Sequence, residues 1–204
     1  MKKTIISIVA LFSLAHSGSC VLVQSGDMNV TWKAYKTLGK LGVGGQFTQV
    51  NYVPNKKEGK NFKELFIGSK VSIDMAKIDT KHEERDKTLV SMFFNKLKGG
   101  KIEGVIKDIK ADKAVNGKRP YTGTLDVSIT MNEKTLVIPM KYHYKKGHFK
   151  ADGTIDLFDF EGRSALASIN KSCYDLHSGK TWSDVSIGFS TMIEATLCNV
   201  EIKK

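Results

Sequence analysis

The sequence predicts a mainly β protein, an eight-stranded antiparallel barrel carrying one amphipathic helix. Three observations lead to this expectation. Apolar and polar residues alternate with a period of two over long stretches, the pattern of strands with one buried face. Four of these runs are long and follow one another in the chain, the first three through short turns, as in a meander. In all, eight candidate strands can be read from the chain, the number at which a closed sheet surrounds packed side chains or one small ligand and loses its exposed edges.

The 204 residues, with 3 Pro, 18 Gly and 41% hydrophobic content, suit one domain with a core of useful size. With 26% charged and 9% aromatic residues, the chain is not a disordered tail, a collagen, a coiled coil or a multi-span membrane protein. The balance is basic, with 32 Lys+Arg against 21 Asp+Glu and a net charge of +11. Only Arg85, Arg119 and Arg163 are arginines, and the lysines are scattered from Lys33 to Lys204. Lysine is a hydrated point charge that suits solvated faces or contact with anionic headgroups, whereas base readers use arginine forks in a stripe. No nucleic-acid partner is therefore expected.

Taken in order, Met1-Lys2-Lys3, the apolar run Thr4 to Ala15 and the small, polar His16 to Cys20 form a secretory signal peptide over residues 1–19. The run is too short to span a bilayer, which needs roughly 20 apolar residues. A periplasmic or secreted protein is expected. Cleavage after Ser17 or after Ser19 both fit; the second exposes Cys20 and resembles a lipoprotein site, although Ser17 stands where an aliphatic residue is usual. Residues 20–26 read as an N-terminal linker and 27–204 as the barrel. Val30, Trp32 and Ala34 mark the first strand. Weaker strand signals lie at Gly45–Val53, Val71–Ile78 and Lys101–Lys110, the last ambiguous about its buried face.

Asn61–Phe66 reads as a short helical turn. Thr80 with Glu83 three residues on has the form of a capping box. Leu89, Met92, Phe93 and Leu97 then recur at helical spacing, so a helix is expected over 81 to about 97, lying across the sheet or plugging one mouth. The four long runs are Leu125–Met131, Leu136–Tyr144, Phe149–Leu157 and Val185–Leu197, the first pair joined by an Asn132-Glu133 turn and the second by Lys145-Lys146-Gly147. Asn55–Asn61 and Asp112–Arg119, with an Asn116-Gly117 turn, read as loops.

Three cysteines are present, Cys20, Cys173 and Cys198. With Cys20 set aside as a possible lipidation site, the economical reading in an oxidising compartment is a Cys173–Cys198 disulfide. The rival reading makes Cys173 the nucleophile of a hydrolase or redox protein with His177 beside it, although Asn170–Asp175 reads as loop.

Val71-Ser-Ile-Asp-Met-Ala-Lys-Ile-Asp-Thr80, followed by Glu84-Arg-Asp-Lys-Thr-Leu89 and Ser91-Met-Phe-Phe94, resembles the YceI family, whose members carry a V-x-I-x-x-x-S-I-D-T strand, an R-D-x-x-L element and a paired Phe. Lys77 replaces a small residue of that pattern, and the Tyr-Pro that usually follows the Phe pair is absent. Gly123-Thr-Leu-Asp-Val, Thr135–Lys141, Thr154-Ile155 and Asp159-Phe160 are similar to the family's second half. The similarity covers roughly residues 28 to 197 and is weakest over Ser168–Asp184. It implies a lipocalin-like barrel, exported to the periplasm, that holds a polyprenyl lipid such as an isoprenoid quinone or polyprenyl phosphate.

On that basis the residues expected to line the lumen are Trp32, Phe47, Ile73, Met75, Leu125, Val127, Ile129, Ile138, Met140, Tyr142, Phe149, Ile155, Phe189 and Ile193, with Phe93 and Phe94 closing one end. The same alternation would equally build a filled barrel, which leaves an interaction or stress-response module without a lipid as a second reading. Arg85 either meets a polar headgroup or, with Asp86, fixes the start of the helix against a loop, and Asp79 reads as a turn or cap residue. His143 and His148 flank a lysine-rich turn without a third ligand, so no metal is expected. No catalytic residue and no cofactor is expected, since no nucleophile elbow, phosphate-cradling loop or dinucleotide fingerprint is found; Gly42–Phe47 reads as a bent strand entry.

Overall fold

A computed structural model describes residues 20–114 and 121–197. The signal-peptide and cleavage expectations, the Asn116-Gly117 turn and Cys198 lie outside the described residues, as do the side chains of Cys20 and Leu197. Within them the strands are β1 (Cys20–Gln24), β2 (Asn29–Lys36), β3 (Leu41–Phe47), β4 (Val50–Val53), β5 (Glu58–Gly59), β6 (Lys70–Asp74), β7 (Ile78–Asp79), β8 (Lys101–Ala111), β9 (Thr122–Met131), β10 (Lys134–Lys145), β11 (His148–Asp156) and β12 (Asp184–Leu197). Three helices accompany them: α1 (Phe62–Phe66), α2 (Glu83–Met92) and α3 (Arg163–Ser172).

Twelve strands replace the expected eight, because three long strands are broken and a two-residue strand, β5, is added. Residues 25–28 divide β1 from β2, and both run antiparallel to β12. Thr48 and Gln49 divide β3 from β4, and residues 75–77 divide β6 from β7. The two broken strands pair with each other, Phe47 opposite Ile78 and Val50 opposite Ile73, with Thr48 N–H donating to Lys77 O at 2.8 Å between the segments. This pairing returns the sheet on itself and leaves two-residue β5 as a satellite of β1. β9 to β12 pair consecutively, as the meander requires.

Local chemistry explains the turns. Asn132 and Glu133, with φ of 52° and 64°, and Lys146 and Gly147, with φ of 50° and 84°, place both central residues in the left-handed region, the turn whose twist matches a hairpin. The ambiguous face of β8 also has a cause. A bulge between Ile106 and Asp108 shifts the register, so Ile106 and Ile109, three apart, both turn inward.

Residues 20–24, expected as linker, instead form β1 along the second half of β12. The predicted helix is shorter than 81–97 and capped differently: α2 starts after His82, whose Nδ1 accepts from Arg85 N at 3.3 Å, and ends before a separate 3-10 turn at Phe94–Lys96. Asn61 caps α1, its side chain accepting from Glu64 N at 2.9 Å. The third helix, α3, is a correction to the expectation of one helix and of a loop from Asn170. Ala165, Leu166 and Ile169 form its buried stripe, and Cys173 caps its end. Small and polar Ser164, Ala167, Ser168 and Asn170 on its other face weakened that signal.

The barrel has two unlike ends. The hairpin turn at Lys146-Gly147 and α1 lie at one end, and the Asn132-Glu133 turn, α2 and α3 at the other, where Asn132 bonds to Lys98 N at 2.8 Å and to Phe160 O at 2.8 Å.

Candidate functional site

Aromatic side chains fill the α1 end. Phe62 and Phe66 approach Phe149 at centroid distances of 5.1 and 4.7 Å, and Tyr142 stacks on the same ring at 5.1 Å. Leu125 and Ile193 are fully buried there. This half of the barrel is a packed core.

The other half is hollow. An inner chamber of about 120 Å³ lies among Val30, Ile73, Ile106, Val127, Met140 and Phe189. An outer chamber of about 420 Å³ opens between the barrel rim, α2 and α3, with Leu89, Phe93, Leu166, Ile169 and Cys173 in its walls. Trp32, Phe47, Ile102, Met131, Ile155 and Ile187 border both and form the waist between them. Phe94 braces this waist, edge-on to Trp32 at 6.5 Å and to Phe47 at 6.0 Å.

The residues expected in the lumen are therefore divided. Trp32, Phe47 and Ile155 border both chambers, Ile73, Val127, Ile129, Met140 and Phe189 the inner one, and Phe93 and Phe94 the outer. Leu125, Tyr142, Phe149 and Ile193 belong to the filled end, while Met75 and Ile138 are buried without bordering either chamber. Sequence reasoning missed the contribution of α3 and the segment after it, Leu166 to Trp182. The spacing of Leu166, Ile169 and Cys173 is the helical signal that would have placed them on one face.

Two polar side chains beside the inner chamber are left unpaired. Trp32, 8% exposed, has an Nε1–H without a partner among the described residues, and so does the Tyr52 hydroxyl. Both residues border the inner chamber. Burial pushes the Tyr52 phenol up. A buried donor left unpaired costs about 1–3 kcal/mol, so a ligand oxygen reaching either group would recover that cost.

Arg85 borders the outer chamber, but its hydrogen bonds serve the fold. Its Nε donates to Thr80 Oγ1 at 2.9 Å and its Nη2 to Thr80 O at 2.7 Å. Asp86 accepts from Thr80 N at 3.0 Å and from Thr80 Oγ1. The pair thus fixes the start of α2 against the strand before it. Asp79 accepts from Lys81 N at 2.7 Å as a turn residue, its carboxyl held below the usual range first by Lys81.

Cys173 and His177 share the wall of the outer chamber but are not coupled through the thiol. His177 Nδ1 lies 2.7 Å from Thr181 Oγ1, and Thr181 donates its own hydroxyl hydrogen to Asn170 Oδ1 at 2.8 Å. The imidazole must then donate from Nδ1. Burial, and next the charge of Lys36, hold His177 below its usual value. Cys173 has no disulfide partner among the described residues. His143 and His148 are exposed and face Lys150 and Lys145 across the hairpin, not each other.

The fold is similar to those of BcnA from Burkholderia cenocepacia (TM-score 0.54, 15% identity, 83% of this chain and 99% of that one) and of a polyisoprenoid-binding domain from Saccharophagus degradans implicated in plant cell wall breakdown (0.54, 13%, 88% and 99%). A YceI protein from Campylobacter jejuni is also similar (0.50, 17%, 76% and 85%). No curated protein sequence matches the chain. The YceI-like domain profile matches residues 23–193, from within β1 to within β12, and by that span this half-hollow barrel belongs to the YceI-like family.

Proposed function

We propose that the protein is an exported binding protein that sequesters or carries an isoprenoid lipid, the chain in the two chambers and the polar group within reach of Trp32 or Tyr52. The observation that carries this reading is the pair of adjoining, mostly apolar chambers that share Trp32, Phe47, Ile102, Met131, Ile155 and Ile187 as their common walls. Partition of a hydrocarbon into such walls follows buried area at roughly 25 cal/mol per Å² and needs no specific chemistry. The likeness to a polyisoprenoid-binding domain supports the ligand class. A chain longer than the chambers must widen the cavity or leave part of itself at the mouth.

Organic extraction of protein purified from its native host, followed by mass spectrometry, is expected to release an isoprenoid compound. An empty extract from fully folded protein sinks the reading. Recovery of the protein from the periplasmic fraction, with an intact mass that shows cleavage before Gly18 or Cys20, tests export.

A further inference from the structure

The outer chamber lies beside exposed apolar side chains, of which only Leu176 lines it. Leu38 and Leu41, 80% and 58% exposed, flank the tip of the β2–β3 hairpin. Tyr174 and Leu176, 61% and 72% exposed, stand on the 3-10 turn after α3. Hydrogen bonds tie these two tips together: Thr37 N–H donates to Lys180 O at 2.9 Å, and Trp182 Nε1–H to Thr37 O at 2.7 Å. Tyr174 packs against Gly179, one residue before Lys180. Both tips therefore stand at the same rim, next to the outer chamber that Leu176 and Trp182 help to wall.

The rim is also cationic. Lys40 and Lys180 each hold their ammonium 4.6 Å from the Trp182 ring centroid. Lys40 pairs with Asp184 at 2.8 Å, while Lys36 and Lys180 make no ion pair among the described residues. Asp175 is the one acidic residue on the 3-10 turn. Protruding leucines, an aromatic pair and unpaired lysines on one rim are the combination that seats on anionic lipid: apolar tips enter the acyl boundary and each lysine gains from the negative surface.

We propose that this rim, formed by Leu38, Leu41, Tyr174 and the lysines around Trp182, docks the protein onto an anionic membrane with the mouth of the cavity facing the lipid. The purpose of the contact rests on the lipid-carrier reading, since a chain too long for the chambers would pass to and from the bilayer without crossing water.

Sedimentation with vesicles of phosphatidylcholine alone, or mixed equally with phosphatidylglycerol, tests this. Binding is expected to the mixed vesicles, falling with salt, and brominated acyl chains are expected to quench Trp182 at the rim. The double variant Leu38→Asp/Leu41→Asp is expected to weaken binding by about tenfold or more, and Lys180→Glu by about fivefold. Val137→Asp, which alters an equally exposed apolar side chain on the barrel wall, is expected to bind like the parent. Equal loss in Val137→Asp, unchanged binding in the leucine variant, or a dimer that the leucine variant dissociates without any vesicle binding would overturn the proposal. Lipid extracted per mole of protein separates the two ideas: an empty parent protein that still binds vesicles defeats the carrier, whereas a loaded protein that ignores them defeats the docking rim.

Discussion

Trp32 lies so close over Gly45 that a β-carbon at position 45 would stand 2.5 Å from the indole Cζ2 and 2.9 Å from Cε2. Paired across β2 and β3, the two residues set the width of the waist: glycine leaves the space into which the indole turns. Gly45→Val is expected to destabilise the protein by about 1–3 kcal/mol through overpacking and to shift the Trp32 fluorescence. Urea unfolding and an emission spectrum check this, and a stable variant with unmoved emission would show that the waist is not set by this contact.

The filled and hollow halves should answer substitution differently. Phe149→Ala, among Phe62, Phe66 and Tyr142, is expected to cost about 3–5 kcal/mol. Ile155→Trp adds bulk next to empty space, and is expected to cost little stability while lowering the lipid recovered from the folded protein. Denaturant midpoints with extracted lipid per mole decide between this division and a uniformly packed barrel.

His177 links acid to stability. Its folded pKa lies below its usual 6.5 because of burial and then Lys36, so the folded state favours the neutral ring. Its contribution is fully present above pH 6.5 and is lost as pH falls through the lower folded value. Urea midpoints measured from pH 7.5 down to 5 should fall, and His177→Gln should flatten that decline. An unchanged slope in the variant would assign the acid sensitivity elsewhere.

The alkaline limb belongs to phenols. Burial raises Tyr52 and Tyr142 above their usual 10.0. Their contributions are complete below pH 10 and decline as pH rises through the folded values. Tyr52→Phe, which also removes a buried hydroxyl without a partner, is expected to leave stability at pH 7 unchanged or slightly higher and to flatten the loss above pH 10. A marked destabilisation at pH 7 would mean that the hydroxyl is satisfied in the folded protein.

The sequence by itself determined the barrel. Period-two alternation decides which side chains turn inward, and the hairpin turns decide which strands pair, so the inward parity of Trp32, Val127, Met140, Ile155 and Phe189 was legible without coordinates. The motif around Val71–Phe94 was enough to indicate the family. Alternation is silent, however, about what an inward side chain meets. Phe149 and Ile155 carry the same pattern on the same strand, yet one packs against α1 and the other borders a void, because Phe62 and Phe66 arrive from a helix far away in sequence. Only the tertiary structure settled where the interior is solid, and it set α3 beside the mouth although that segment is small and polar on one face. Direction is a local property of a strand, whereas occupancy depends on whether the opposite wall supplies enough volume to reach across.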